Sequence, residues 1–317
     1  GQEYKRIKNR CFCNCSKDDN GTVIAEKDMH GLPLKSILCP QTGLICSDSI
    51  FDEKSNNEFY INEYRDLASF GISIPEYFDS QVNTRGKFFY RLFKEHVKID
   101  FGSKIVDIGC GAGGVLYSFL NNKNQCIGFD YDRDYLEYGK TKGLDLRWGD
   151  YKDQIKDDSV DIVILSHVME HFLNPIQDIQ DVIEIVKPNK YLIVEVPGIY
   201  FKYRKADTPL KYLQIAHVVN YFHYDFLEFL FKKLNMEIVY GDERCTFILR
   251  KNQNWERIDA ISIPGNLFEG KAGDIKSYLI KTHLSYNWNF RNLASRMLVS
   301  LGFVKFLKRF FRWIKKH

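Results

Sequence analysis

The chain has 317 residues, enough to bury one large core with appendages or two smaller ones, and its 44% hydrophobic and 27% charged residues are those of an ordinary globular protein. No apolar run reaches the length of a membrane span, and the polar, basic start GQEYKRIKNR has no apolar stretch behind it, so a cytoplasmic setting is expected. The net charge of +4 is concentrated at the far end: from Ile275 onward there are ten Lys or Arg and no Asp or Glu, which leaves the rest net negative and ranks nucleic acid low as a partner.

The first fifty residues are rich in Cys, Gly and Asp and predict a small loop-rich module, which an irregular aromatic connector extends to residues 1–75. Five of the eight cysteines fall here: Cys11, Cys13, Cys15, Cys39 and Cys46. Without a secretion signal, such a group reads as a metal site, or the remnant of one, ahead of a disulfide framework. Cys110, Cys126 and Cys245 sit in apolar runs and read as small core residues. Phe88, Phe89, Leu92, Phe93 and His96 recur at three- and four-residue steps and predict a helix over 84–97.

Strands and helices then alternate. Strands are expected at 104–109, 125–130, 144–148, 160–166, 191–197, 236–241 and 245–251. Helices are expected at 113–120, 134–141, 175–186 and 224–234, the third with Asn174 as N-cap and Pro175 in its first turn. Only Asp242–Arg244 join the last two strands, too short a link for a parallel crossover, so these two form a hairpin. The fold class is α/β, a mostly parallel sheet with one antiparallel strand near an edge, within a domain spanning 76–256. Residues 257–317 are a basic extension. In it Phe303, Phe306, Leu307, Phe310 and Ile314 recur at helical spacing among Lys and Arg. Residues 303–317 thus fit an amphipathic helix lying on the inner face of a membrane; a helix docked on the domain or on a partner protein fits as well.

The stretch VDIGCGAGG, at the end of the first long strand, carries Gly109, Gly111 and Gly113, which allow a sharp turn and close approach of a ligand to a helix N-terminus. Alone, such a loop leaves a nicotinamide dinucleotide, another nucleoside ligand and a mere tight turn all open. Asp107 inside the strand disfavours a pyrophosphate and favours a cationic ligand. Asp130 ends the second strand, where a carboxylate can accept from both ribose hydroxyls, and Asp150 ends the third. With GFDYD (128–132), WGDY (148–151), the run through SHVMEHF (157–172) and KPNKYLIVEVP (187–197), residues 104–251 resemble a class I S-adenosylmethionine-dependent methyltransferase. The resemblance implies a Rossmann-like seven-stranded sheet with the last strand inserted antiparallel. It also implies a glycine loop beside the methionine part of the cofactor, Asp130 on the ribose, and Asp150 with Tyr151 near the adenine; Tyr131 and Ser166 are assigned to the same site. Two departures stand out: Asn189 where glycine is common, and Asp132 where a small residue is usual.

SHVMEHF also spells H-x-x-E-H, the inverted zinc-protease pattern. A protease would need this segment as a helix in a cleft with a third ligand, which a Rossmann-like half does not supply. At the rim of a methyltransferase site, His171 and His167 become candidates for receiving a hydroxyl proton, with Glu170 beside them. The plainer reading is that His171 caps the next helix. His217, in IAHVVNYFHYDFLEF, resembles a substrate-facing histidine of methyltransferases acting on sugars, within a lid insertion around 198–223; the alternative is an aromatic cluster with Tyr221, Phe222, Tyr224 and Phe226. Glu195 is a candidate for binding acceptor hydroxyls or for sharing a divalent metal with Glu170 and His171.

The cysteine segment followed by FYINEYR (59–65) resembles a module found ahead of the methyltransferase domain in enzymes of deoxysugars and surface glycans. Structural zinc on Cys13, Cys15, Cys39 and Cys46 is the expectation, with Thr42 standing where a second cysteine is normal and Cys46 a replacement ligand. The resulting expectation is methyl transfer from S-adenosylmethionine to a hydroxyl of a bacterial surface glycan or glycolipid precursor. A small-molecule O- or N-methyltransferase and a membrane-recruited binding protein without turnover are the rivals.

Overall fold

The computed structural model describes residues 4–9, 11–13, 21–28, 33–64, 71–120, 123–200 and 217–288. The amino-terminal module is built on strands. β1 (Arg6–Lys8) pairs antiparallel with β5 (Ser49–Phe51), while β2 (Thr22–Lys27), β3 (Pro33–Leu38) and β4 (Ile45–Ser47) form consecutive antiparallel pairs. This corrects the loop-rich expectation: strands so short give alternation no room to show. α1 (Glu53–Asn62) follows, its first turn capped by Asp52, whose Oδ1 accepts from the Ser55 amide at 2.9 Å. α2 (Ile74–Gln81) runs through a π-helical turn (Val82–Gly86) into α3 (Lys87–His96), so the helix expected over 84–97 begins earlier, at Ile74.

β6 (Lys104–Ile108), β7 (Gln125–Asp130), β8 (Asp145–Trp148), β9 (Val160–Ser166) and β10 (Val186–Glu195) form the parallel part of a larger sheet. β11 (Asn220–Tyr221) instead joins the small sheet beside β4. The hairpin of β12 (Met236–Gly241) and β13 (Thr246–Lys251) completes seven strands in the order β12-β13-β10-β9-β6-β7-β8, with β13 antiparallel to both neighbours. This is the Rossmann-like arrangement expected, and its strand order reverses between β6 and β9, where ligands of such sheets bind.

The central strands are apolar on both faces because helices cover both. α4 (Gly114–Tyr117), α5 (Arg133–Lys140), α6 (Pro175–Ile185) and α7 (Tyr224–Lys233) supply that cover together with α2 and α3. One core gathers Val106, Val163, Ile183, Phe226, Phe231 and Phe247; the other gathers Phe89, Phe93, Ile105, Leu116, Ile162 and Ile248. Each such side chain contributes about 1.5–3 kcal/mol on burial.

Details differ from expectation for local reasons. α4 is one turn, shorter than 113–120. Asn174 occupies the N-cap of α6 but makes no side-chain cap bond; its backbone amide donates to Asp178 Oδ2 at 3.0 Å, and Pro175 does stand in the first turn. Asn189 has φ +61, a left-handed conformation that Asn tolerates best after Gly, which explains its standing where glycine is common. Asp132 caps α5, accepting from the Tyr135 amide at 3.1 Å.

α8 (Lys271–Trp288), absent from the sequence reading, lays Ile275 and Leu279 against Leu38 and Ile45 of the small sheet and Val218 and Tyr221. Cys15, residues 201–216 of the expected lid, and the basic segment 303–317 lie outside the described residues. Among those described, no helix is long and apolar enough to cross a membrane.

Candidate functional site

At the carboxyl end of β6 the chain turns through Gly109, φ +71, where a Cβ would stand 2.7 Å from Val168 Cγ2, and then through Gly113, φ +80, where one would stand 2.7 Å from Leu144 Cδ1. Neither position admits another residue without strain. The loop between them is clamped by Gln81, which sequence reasoning missed: its Nε2 donates to the Cys110 carbonyl and its Oε1 accepts from the Gly114 amide, each at 3.1 Å. Its only signal was its place ahead of the helix facing the loop.

Asp130, at the end of β7, is drawn into the same loop. Its Oδ2 accepts from the Gly111 amide at 2.8 Å and its Oδ1 from the Asp132 amide at 3.0 Å. Asp107 is buried, and burial, with the nearby Asp130 charge adding, pushes its carboxyl well above the usual range. Asp107 therefore holds its proton more tightly than an ordinary carboxyl, while Asp130 meets the glycine loop directly through the Gly111 amide. Asp150 is exposed beyond β8, and Tyr151 is buried beside it in the main core. The half-buried Tyr131 accepts through its carbonyl from Trp148 Nε1 at 3.0 Å. Ser166 donates to Glu195 Oε2 at 3.2 Å. Glycines that let a ligand approach backbone amides, beside a carboxylate placed for ribose hydroxyls, fit an S-adenosylmethionine-type nucleoside.

Beside this edge, SHVMEHF forms no metalloprotease helix. His167 adopts φ +57, and only Met169–His171 make a single 3₁₀ turn. His167 Nδ1 lies 3.2 Å from Glu170 Oε1 and its Nε2 lies 3.4 Å from Glu195 Oε2, with Arg85 Nε 3.3 Å from that same oxygen. Burial and Arg85 both act to lower the His167 pKa, but the two carboxylates outweigh them and raise it. For Glu195 burial acts upward, yet His167, Arg85 and Arg244 together bring the carboxyl down to about 2. His167 thus stands between two carboxylates that favour its protonated form, and Glu195 is engaged by His167, Arg85 and Ser166.

His171 is different. Its Nδ1 lies 3.1 Å from the His217 carbonyl, and because a carbonyl only accepts, Nδ1 carries the proton and the neutral ring's Nε2 keeps a lone pair. Burial holds its pKa below the ordinary histidine range, although Glu170, 3.7 Å from Nε2, pulls the other way. It does not cap α6. The His217 ring stacks on His171 with centroids 4.9 Å apart and packs against Tyr64, Phe59 and Tyr60 at 5.1, 5.5 and 6.2 Å. An aromatic cluster does form around His217, but from α1 and the residues after it, not from Tyr221, Phe222, Tyr224 and Phe226. His223 caps α7, accepting on Nδ1 from the Phe226 amide at 3.3 Å, and donates from Nε2 to the Thr42 carbonyl at 2.8 Å.

The described cysteines are all free thiols. The sulfur atoms of Cys11, Cys13 and Cys39 lie within 4.8 Å of one another, with Cys13 and Cys39 at 3.5 Å. Hydrogen bonds from Cys13, Cys39 and Cys46 to Cys11 pull that thiol far below its ordinary value. Sulfur ligands of tetrahedral zinc stand about 3.8 Å apart, so Cys11, Cys13 and Cys39 fit three corners of such a site. Cys11, not among the expected ligands, is grouped with Cys13 and Cys39. Thr42, where a second cysteine is normal, holds its Oγ1 3.7 Å from Cys11 Sγ. Among the described residues, no His–Glu group around Glu170, His171 and Glu195 meets the geometry of a metal site; the cysteines do.

With this geometry in place, the comparisons bear on class. Residues 84–240 match the family model described as "Methyltransferase domain". A probable S-adenosylmethionine-dependent methyltransferase of Mycolicibacterium smegmatis is 26% identical over 112 residues, 34% of this chain and 44% of that protein. The ubiquinone biosynthesis O-methyltransferase of Photobacterium profundum is 28% identical over 100 residues, 29% of this chain and 43% of that protein. The chain therefore spans less than half the length of these curated relatives. A solved S-adenosylmethionine-dependent methyltransferase from Aquifex aeolicus superposes with a TM-score of 0.40 at 14% identity, covering 56% of this chain and 96% of that one. Residues 84–240 are a methyltransferase domain of the class I, S-adenosylmethionine-dependent type.

Proposed function

We propose that this chain methylates a hydroxyl group, with His171 as the base, and that the acceptor is a sugar of a bacterial surface glycan or its glycolipid precursor. The observation that carries the reading is the tautomer of His171: with Nδ1–H given to the His217 carbonyl, Nε2 is left to receive the acceptor's proton. S-adenosylmethionine supplies a methyl group on a sulfonium. Asp130 and the Gly109–Gly113 loop hold it, and the Glu170–His167–Glu195 array fixes the floor on which His171 stands. A sugar presents neighbouring hydroxyls, and Glu170 Oε2, buried and without a hydrogen-bond partner among the described residues, is an acceptor for a second one. The basic segment 303–317 brings the enzyme to membrane-borne precursors; liposome binding unchanged by its removal would dismiss that role.

A second reading, a small phenolic acceptor, is favoured by the likeness to the ubiquinone biosynthesis O-methyltransferase and by the Phe59, Tyr60 and Tyr64 rings. The two are separated by measuring transfer of labelled methyl from S-adenosylmethionine to lipid-linked oligosaccharides and to catechols. Transfer to catechols alone overturns the sugar reading, and transfer to the sugar that survives His171→Gln overturns the base.

A further inference from the structure

The cysteine cluster and the base belong to one mechanical unit. Cys46 stands opposite Asn220 in the β4–β11 pairing, and its thiol donates to Asn220 Oδ1 at 3.1 Å. The next residue, Ser47, donates from its amide to the Val219 carbonyl at 3.2 Å and from its hydroxyl to the Val218 carbonyl at 2.7 Å. Asn9, two residues before Cys11, donates its Nδ2 to the Ser47 carbonyl at 3.0 Å and thereby ties β1 to β4. Val219 in turn donates its amide to the Glu170 carbonyl at 2.9 Å. Glu170 precedes His171, whose Nδ1 is held by His217, two residues before Val219. The path from sulfur to imidazole thus crosses one strand and one turn. Midway along the Cys39–Cys46 loop, His223 holds the Thr42 carbonyl at 2.8 Å.

The loop on the cofactor edge has different supports. Gln81 and Asp130 hold the glycines, and neither comes from the module.

We propose that zinc held by Cys11, Cys13, Cys39 and Cys46 pins β4, and through β4 sets the geometry of the His171–His217 pair, leaving the cofactor site independent of metal. The inference rests on reading His171 as the base, but it concerns how that base is held and not which acceptor it serves. The sulfur atoms of Cys11, Cys13 and Cys39 lie within 4.8 Å of one another, the donor type and spacing of a tetrahedral zinc site, and Cys46 on β4 stands at its fourth corner and joins that site to the two-residue β11 pairing.

The test uses the full chain purified with Zn²⁺, compared with the same protein after treatment with 1,10-phenanthroline, and reads zinc content, hydrogen exchange and S-adenosylhomocysteine affinity. The expected result is one zinc per chain. On its removal, exchange at 168–171 and 217–222 rises at least tenfold, exchange at 104–108 and 125–130 stays unchanged, and affinity stays within threefold; re-added zinc reverses the changes. Cys39→Ser gives the same pattern without chelator. A chain that binds no zinc overturns the proposal, as does unchanged exchange at 217–222, or loss of protection at 104–108 in parallel, which is general unfolding. None of these readouts involves an acceptor, so failure of the sugar reading leaves them interpretable.

Discussion

The two sides of the site are assembled in opposite ways. The cofactor side draws Asp107, Gly109, Gly111, Gly113 and Asp130 from two neighbouring strands and the turn after the first. The side proposed for the acceptor brings His171 from the turn after β9, His217 from ahead of β11, and Phe59, Tyr60 and Tyr64 from α1 and just beyond it. The proposed nucleoside site is a short continuous motif; the proposed acceptor site is made of segments that only the folded module unites. The first arrangement suits a shared cofactor, and the second lets the acceptor vary without disturbing it.

If that division is real, substitutions on one side spare the other. The largest effect is expected from His171→Gln, which should lower kcat for methyl transfer about 10²- to 10⁴-fold while leaving S-adenosylhomocysteine affinity in calorimetry unchanged. A parallel loss of affinity breaks the comparison. Asp130→Asn is its mirror: removing a charged acceptor weakens cofactor binding roughly tenfold to a hundredfold, with exchange protection at 217–222 intact.

The third variant tests the floor between the two sides. Glu195→Gln leaves His167 and Arg85 with an unmatched charge and should cost about 3 kcal/mol in denaturant unfolding. The sign with pH follows from the carboxyl being held at about 2 when folded. Its contribution is complete above the unfolded value of about 4.3 and is lost as pH falls from there toward 2, so the wild-type advantage over the variant shrinks across that window. Because burial keeps His171 below the ordinary histidine value of about 6.5, transfer should hold its rate through that pH and fall only on further acidification. A rate that halves at or above the ordinary value counts against His171. The smallest effect belongs to Asp132→Ala, which removes the α5 cap and should cost about 1 kcal/mol in thermal unfolding without changing catalysis.

The same division governed what could be read from the residues. The large sheet was legible because VDIVILS and YLIVEV are long apolar runs, and because the four residues between β12 and β13 admit only a hairpin. Asp130 and the glycine loop were legible because spacing along the chain is spacing in the site. The surroundings of His167 were not legible because one flanking carboxylate, Glu195, comes from the next strand, and its effect cannot be counted locally. Cys11 escaped the ligand set because ribbon spacing was the guide, whereas the closeness of its sulfur to those of Cys13 and Cys39 comes from how the module's chain folds back. The small sheet was invisible: β11 has two residues, and its partner β4 lies on the far side of the whole cofactor-binding half.

That last pairing has a consequence for biosynthesis. Cys46 and Asn220 are 174 residues apart, and at about 5–20 residues per second a ribosome needs roughly 10–35 s to make the second after the first. Cys11, Cys13, Cys39 and Cys46 all exist by residue 46, so if the module takes up zinc as proposed, it does so while β11 is still unmade. The module comes first, and its pairing with β11 closes last.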